Sequence, residues 1–299
     1  MIIIGATGYT GKYLTKYYTK NYGINKSFKW CIAGRTLSRL EKLKQECQEI
    51  NPEMSELKLL KCDNSNYEDM KLVANSTKVV VSCAGPFAIY GTPLVNCCAA
   101  YGTDYVDITG EIDWIRDTIV KFQDLAILSG ARIVSCVGFD CAPFDLMVYK
   151  LRQELQNAYN DSELTSVEIW DVGVTNISMD CLSGGTLKSL LNSFSNKSAP
   201  IRRNTDPLNW LNDKHGTSST YKSVHNSMKR MNWNKLIQRW CGFGFIILQN
   251  FRAVQRSNCL LGYSKKLNYK ESIVFPSLRH GLLTNFMEIL IGTVFSIKP

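Results

Sequence analysis

The sequence predicts an α/β protein with a doubly wound parallel sheet and a second, smaller α/β domain. Short apolar runs alternate with helical patterns from the N-terminus to about residue 145, the alternation that parallel sheets with crossover helices produce. The first of these runs also leads directly into a glycine-rich turn that a helical pattern follows. We therefore expect a first domain over 1–145 and a second over 146–299.

The first turn carries three glycines spaced by three, Gly5, Gly8 and Gly11. Gly5 suits a tight turn, Gly8 lets backbone N–H groups approach a pyrophosphate, and Gly11 allows a helix to pack closely on a strand. The free N–H groups and the dipole of the following helix would then hold the anion. A glycine-rich turn that binds nothing is the alternative. The residues expected at a dinucleotide here are Gly5, Ala6, Thr7, Gly8, Tyr9, Thr10 and Gly11.

The elements after this turn alternate regularly. Leucines at helical spacing, for example, give the stretch from Leu37 to Cys47 an apolar stripe. The predicted order is a helix over 13–22, a strand over 28–33, a helix over 37–47, a strand over 57–62, a helix over 67–74 and a strand over 78–83.

The second strand ends in Gly34 and Arg35 rather than in an acidic residue. An acid at this position binds the ribose 2′-OH of NAD, whereas an arginine favours the 2′-phosphate of NADP. NADP is therefore the predicted cofactor, with NAD less favoured. A solvated charge at the start of the next helix is the alternative for Arg35.

Ligands of open α/β sheets bind beyond the carboxyl ends of the strands. Asp63 follows the third strand, where it would neighbour the adenine. Ala84, Gly85 and Pro86 follow the fourth strand, where they would lie beside the nicotinamide ribose.

Five segments together resemble the saccharopine dehydrogenase-like oxidoreductases. They are Gly-Ala-Thr-Gly-Tyr-Thr-Gly over 5–11, Ala-Gly-Arg over 33–35, the stretch 83–91, Asp-Ile-Thr-Gly-Glu over 107–111, and Gly-Phe-Asp-Cys-Ala-Pro-Phe-Asp over 138–145. Ser-Gly-Gly-Thr over 183–186 is similar to a segment of the family's second domain. The resemblance is dense over 1–195.

This resemblance implies an NADP-binding Rossmann domain, a smaller α/β domain and an oxidoreductase of the membrane- or lipid-droplet-linked branch, whose relatives act on lipid-related substrates. Members of the family continue beyond the length of this chain. We therefore expect a second domain that is incomplete at its C-terminus, either in a fragment or in a reduced member of the family.

Four side chains are candidates for moving the proton that accompanies hydride transfer: Tyr90, Asp107, Glu111 and Asp140. Tyr90 follows the fourth strand on the expected nicotinamide side, although a packed loop tyrosine is the alternative. Asp107 and Glu111 flank a Thr-Gly turn that they could simply organise. No Ser-His-Asp or Tyr-x-x-x-Lys arrangement appears, so the catalytic acid stays open.

Eleven cysteines and three histidines show no metal-site spacing, because Cys-x-x-Cys is absent and the histidines are far from any cysteine cluster. We therefore expect no metal. Met1 runs directly into the first strand without a signal sequence, and several cysteines lie in apolar runs. Reduced thiols and an intracellular, cytosol-facing location are the prediction.

The net charge of +9 is unevenly spread. Residues 1–196 hold 19 basic and 22 acidic side chains, whereas residues 197–299 hold 16 and 4. Such asymmetry favours an anionic partner. No nucleic-acid-binding signature is present, so a membrane surface is preferred and nucleic acid is not expected.

Two stretches of the basic half suit a membrane interface. Trp233, Leu236, Ile237 and Trp240 recur at helical spacing among basic residues, which predicts an interfacial helix over 228–240. Residues 282–297 are mostly apolar but are shorter than a spanning helix and contain Glu288. An interfacial, a re-entrant and a buried segment all stay open for 282–297.

The sequence as a whole favours an NADP-dependent oxidoreductase with a small-molecule or lipid substrate, at a membrane such as a lipid droplet, mitochondrial or ER surface. A homodimer is compatible with this reading. Two alternatives are a non-catalytic NADP-binding sensor or scaffold on a membrane or lipid droplet, and an RNA-binding protein that uses the basic half.

Overall fold

The computed structural model describes residues 1–24, 28–160, 162–172, 184–185, 188–189, 231–244, 246–262, 264 and 267–296. The chain divides into two compact units. The first contains residues 1–137 and the described part of 183–189, and the second contains the remainder. Of the predicted Ser-Gly-Gly-Thr segment, only Gly184 and Gly185 lie within the described residues.

The first unit is built on a six-stranded parallel sheet in the order β3-β2-β1-β4-β5-β6. This is the order of a doubly wound dinucleotide-binding sheet, so the predicted fold class is confirmed. The strands are β1 Ile2–Ile4, β2 Cys31–Gly34, β3 Lys58–Lys61, β4 Val79–Ser82, β5 Asp104–Asp107 and β6 Ile133–Val134.

Helices alternate with these strands as the sequence predicts. They are α1 Tyr9–Asn21, α2 Leu37–Ile50, α3 Tyr67–Ser76, α4 Phe87–Tyr90, α5 Thr92–Tyr101 and α6 Ile112–Ser129, with a 3₁₀ turn at Pro52–Glu56. Helix α1 begins four residues before the predicted position, because the chain turns into it immediately after Gly8. The glycine loop is therefore shorter than the sequence pattern indicates.

One apolar cluster holds β1, β2 and α2 together. Ile3 and Ile32 are fully buried in the sheet, and Leu40, Leu43 and Cys47 of α2 pack against them. Burying a side chain of this size stabilises the fold by about 1.5–3 kcal/mol. The predicted stripe of α2 thus fixes the strand that precedes Arg35.

The second unit contains a four-stranded mixed sheet in the order β7-β10-β9-β8. Strand β10 pairs parallel with β7 and antiparallel with β9. The strands are β7 Ser166–Asp171, β8 Asn232–Asn234, β9 Arg239–Gly242 and β10 Asn268–Phe275. The helices are α7 Ala142–Tyr159, α8 Ile246–Leu261 and α9 Leu278–Ser296.

The prediction of a helix over 228–240 is wrong where the structure describes this stretch. Strands β8 and β9 form a hairpin in which Trp233 pairs with Trp240, with ring centroids 5.4 Å apart. A separation of seven residues fits two helical turns, but it also places two residues opposite each other across a four-residue loop. Asn234 favours the loop, because its side chain accepts a hydrogen bond from the Leu236 N–H at 2.9 Å.

Most of the segment 282–297 lies in α9. Several of its large apolar side chains are exposed: Leu282, Leu283, Phe286 and Leu290. Among the helices of the described ranges, none has the length and apolar character needed to cross a bilayer.

Candidate dinucleotide-binding site

The candidate site lies where β1 and β4 run side by side. Ile4 and Ser82 are partners at the carboxyl ends of these strands, and the Cys83 N–H donates to the Ile4 carbonyl at 2.9 Å. The connection after β1 leads to β2 on one side of this pair, whereas the connection after β4 leads to β5 on the other side. This change of direction opens the crevice in which doubly wound sheets bind dinucleotides.

Two of the loop glycines are required by the packing of the protein itself. Gly5 has a φ of +73°, and a Cβ there would lie 2.9 Å from the Cβ of Ala84. A Cβ on Gly11 would come within 2.2 Å of the Gly5 carbonyl oxygen. Both contacts are too short for any other residue, so Gly5 and Gly11 set the loop against β4 and α1.

Gly8 is exposed and has a different role. It is the N-cap of α1, and no side chain caps this helix end. Its N–H turns back to the Gly5 carbonyl at 2.9 Å, and a Cβ on Gly8 would have only this oxygen nearby, at 3.2 Å. Because Gly8 has no side chain, its backbone lies bare beside the N-terminus of α1. This arrangement fits a phosphate.

The other predicted loop residues surround this helix end. Ala6 is buried under the loop, whereas Thr7, Tyr9 and Thr10 are exposed around Gly8. The ring of Tyr9 packs edge-on against Tyr13 of the next turn, 5.2 Å away between centroids.

The end of β2 brings a cation to the same edge of the sheet. Arg35 follows Gly34 and is exposed, and its guanidinium carbon lies 5.9 Å from the centre of the Tyr90 ring. Tyr90 was predicted on the nicotinamide side because it follows β4. The structure places its ring against the arginine that the sequence assigns to the 2′-phosphate.

Asp63 follows β3 at this edge and is partly exposed. Its Oδ1 accepts hydrogen bonds from the N–H and the hydroxyl of Ser65 at 2.9 and 2.7 Å. These two bonds, with a smaller contribution from the charge of Arg35, hold the pKa of Asp63 below its ordinary value. Asp63 is thus an ionised acid near Arg35. It comes from the end of β3, whereas the end of β2 itself carries no acid.

Glu111 is buried and binds the loop after β4. Its two carboxylate oxygens accept hydrogen bonds from the backbone N–H groups of Phe87 and Ala88 at 2.7 and 3.0 Å. The hydroxyl of Ser189 donates to the same carboxylate at 2.8 Å. Glu111 therefore caps α4 and fixes the chain that contains Ala84, Gly85 and Pro86.

Asp107 lies at the end of β5 and is almost completely buried. Its Oδ1 accepts from the N–H groups of Thr109 and Cys136 at 3.0 and 3.2 Å, and its Oδ2 accepts from the Ser135 hydroxyl at 3.0 Å. Burial raises the pKa of Asp107 to about 6, although these hydrogen bonds oppose the shift. The side chain joins the turns that follow β5 and β6.

Asp140 belongs to the second unit, unlike the other three candidate acids. It is partly exposed, and burial raises the pKa of its carboxyl group above the ordinary value.

Ser189 is the contact residue that sequence reasoning missed. The Ser-Gly-Gly-Thr segment before it was recognisable as a motif, but Ser189, four residues after Gly185, belongs to no motif.

A cavity of about 500 Å³ lies at the opposite, amino-terminal edge of the sheet, lined by Lys78, Thr103, Asp104 and Arg132 among others. The carboxyl terminal ends of α3, α5 and α6 lie near it and present carbonyl groups rather than N–H groups. An anionic dinucleotide is better matched by the edge that carries Gly8 and Arg35.

Within the described residues, no group of three metal-binding side chains comes together.

The family model of the saccharopine dehydrogenase NADP-binding domain matches residues 1–134. Residues 1–134 of this chain are thus similar to the NADP-binding domain of saccharopine dehydrogenases. This match covers the whole sheet from β1 to β6, and it confirms the prediction of NADP as the cofactor.

The similarity to two curated relatives extends beyond this domain. A trans-acting enoyl reductase of Mycobacterium tuberculosis is 30% identical over 283 residues, and one of Mycobacterium leprae is 29% identical over 283 residues. Each alignment covers 91% of this chain and 65% of the relative. The chain thus spans about two thirds of the length of these relatives.

A solved structure of apo saccharopine dehydrogenase (L-Glu forming) from Saccharomyces cerevisiae is also similar. Its TM-score is 0.40 at 18% identity, and the match covers 56% of this chain and 33% of that one. The fold assignment given above rests on the strand order of the sheet and not on this likeness.

Proposed function

We propose that this protein is an NADP-dependent oxidoreductase that reduces an enoyl group, or a related carbonyl group, on a lipid substrate. The observation that carries the proposal is the similarity to trans-acting enoyl reductases, because it spans 91% of the chain and therefore includes the second unit. The exposed Gly8 backbone and Arg35 supply the groups that an NADP-dependent reaction requires.

The residues of the first unit divide the binding work between them. The α1 N-terminus at Gly8 binds the pyrophosphate through backbone N–H groups, and Arg35 binds the 2′-phosphate. Glu111 holds the loop of Ala84, Gly85 and Pro86 in one position through the hydrogen bonds to Phe87 and Ala88. This loop would then set the position of the nicotinamide ribose.

When bound, NADPH supplies a hydride, and reduction of a double bond also needs one proton. Asp107 and Glu111 are poor donors, because their carboxylates already accept hydrogen bonds from the backbone. Asp140 belongs to the second unit and stays a candidate on the sequence alone. We leave the proton donor of the proposed reaction unassigned.

Contact with a membrane surface is the finer part of the proposal. The β8–β9 hairpin exposes Trp233 and, at its tip, Leu236, with 77% of the leucine accessible. Lys235 and Arg239 are exposed beside them. Apolar and aromatic side chains among basic ones suit an anionic lipid headgroup layer. A cytosol-facing membrane and a homodimer stay predictions.

The test is NADPH consumption by the purified full-length chain with trans-2-enoyl thioesters of increasing acyl length, with the product identified by mass spectrometry. We expect turnover that rises with acyl length and product that has gained two hydrogens. Gly8→Val should remove NADPH binding itself, because its side chain fills the phosphate position.

A non-catalytic NADP sensor or scaffold is the second candidate. The specific observation in its favour is that Asp107 and Glu111 are both used as structural hydrogen-bond acceptors. Calorimetry separates the two candidates. A stable one-to-one NADPH complex that no enoyl, carbonyl or lipid-extract substrate oxidises would favour the sensor, and substrate-dependent oxidation would exclude it.

A further inference from the structure

Arg35 and Tyr90 come from the ends of two different strands and meet at the candidate site. The guanidinium carbon lies 5.9 Å from the ring centroid, within the distance of a cation–π contact. Across the described ranges, no carboxylate lies within 4.0 Å of the Arg35 guanidinium to form an ion pair with it. The aromatic ring therefore supplies a contact that restrains this exposed side chain.

The position of Tyr90 is fixed by the residues around it. Glu111 caps α4 at its start, and the Phe87 ring packs on Trp114 with centroids 5.7 Å apart. At the other end, a Cβ on Gly91 would lie 2.6 Å from the Trp114 ring, so helix and tryptophan are in close contact. Tyr90 lies between these anchors and is half-buried.

A fixed ring changes how Arg35 can bind a phosphate. A free arginine loses rotamer freedom when it binds, and this loss weakens binding. A ring that holds the guanidinium in advance reduces the loss. A guanidinium has about five N–H donors, so those that do not face the ring stay available for a bidentate contact with a phosphate.

We propose that Tyr90 is a specificity-determining residue for the cofactor, whose ring orients Arg35 toward the 2′-phosphate. The inference rests on the proposed function, since it assumes that NADPH binds at this site. It differs from the sequence-based analysis, in which Tyr90 is one of four candidate proton donors.

The test measures the dissociation constants of NADPH and NADH by calorimetry for the wild type, Tyr90→Phe and Tyr90→Leu. Phenylalanine keeps the aromatic face, so both constants should stay within about twofold of wild type. Leucine removes the face, so NADPH binding should weaken about two- to fivefold while NADH binding is unchanged. Tyr159→Leu is the matched control, because Tyr159 is an exposed tyrosine of the second unit.

A double-mutant cycle with Arg35→Gln asks whether Tyr90 acts through Arg35. Glutamine is polar but uncharged, so it makes no cation–π contact with the ring. In the Arg35→Gln background, Tyr90→Leu should therefore change NADPH affinity by less than about twofold. If Tyr90→Leu loses its cooperative thermal transition, Tyr90→Met replaces it, since methionine is also apolar and has no ring.

Two results would overturn the inference. One is an equal loss of NADPH and NADH affinity in Tyr90→Leu, which indicates a structural role. The other is a loss of turnover in Tyr90→Phe with unchanged affinity, which indicates the proton donor. A wild type that binds no NADPH contradicts the proposed function instead, so the two failures are distinguishable.

Discussion

Replacing Glu111 by alanine should destabilise the first unit and loosen the cofactor loop together. The substitution removes an acceptor of three hydrogen bonds, from the N–H groups of Phe87 and Ala88 and from the Ser189 hydroxyl. A hydrogen bond to a charged group contributes about 1.5–3 kcal/mol, so the gross loss is about 4.5–9 kcal/mol. Part of this lost free energy is recovered, because the variant no longer buries a carboxylate. Water can also reach the N–H group of Ala88, which is exposed.

We therefore expect a net loss of about 3 kcal/mol in the free energy of unfolding. For a unit of this size, that loss lowers the melting temperature by about 6–12 °C. NADPH affinity should fall in the same variant, since Gly85 and Pro86 lose the anchor that follows them. Urea titration monitored by tryptophan fluorescence reports the stability, and calorimetry reports the affinity.

Two further variants make this prediction specific. Glu111→Gln keeps one acceptor oxygen but turns an amide NH₂ toward a donor, so its effect should be intermediate. Glu41→Ala is the control, because Glu41 is exposed on α2 and should change stability by less than about 0.5 kcal/mol. The reasoning is refuted if Glu111→Ala unfolds within 1 kcal/mol of wild type by the same measure and binds NADPH equally well.

Three other perturbations test separate parts of the structure. Arg35→Asp should weaken NADPH binding about 10- to 100-fold while NADH binding changes little, and an equal loss for both would remove the reason for assigning the 2′-phosphate to this residue. Because folding raises the pKa of Asp107 from 3.8 to about 6, its contribution to stability is present at pH values below about 4 and is lost as the pH rises through 6. The first unit should thus lose on the order of 3 kcal/mol between these values, and Asp107→Asn should remove this pH dependence in urea titrations. Leu236→Ser should reduce flotation with anionic vesicles, whereas Leu261→Ser, at a similarly exposed leucine of α8, should not.

The sequence predicted the first unit well because its signals are local. A glycine turn, β-branched strands and amphipathic helices each specify their own segment, and the parallel sheet follows from their alternation. The choice of NADP followed from a single position, Arg35 at the end of β2. Leu40, Leu43 and Cys47 of α2 likewise face the sheet as their periodicity requires, whereas Leu37, the first residue of the predicted stripe, is exposed.

Prediction failed where one pattern fits two structures. The seven-residue separation of Trp233 and Trp240 suits a helix face and a hairpin pair equally, and the hairpin forms because β9 also pairs with β10, far along the chain. The roles of the candidate acids were undecided for a related reason. Nothing near Glu111 in the sequence indicates that the N–H groups it binds belong to residues 87 and 88.

The amino-acid sequence by itself determined the parallel sheet, the bare backbone at Gly8 and the arginine that follows β2, because each depends on residue type within a few positions. Only the tertiary structure decided that Tyr90 lies against Arg35 and that Glu111 caps α4. These pairs are 55 and 24 residues apart in the chain, and their meeting depends on which strands become neighbours in the sheet.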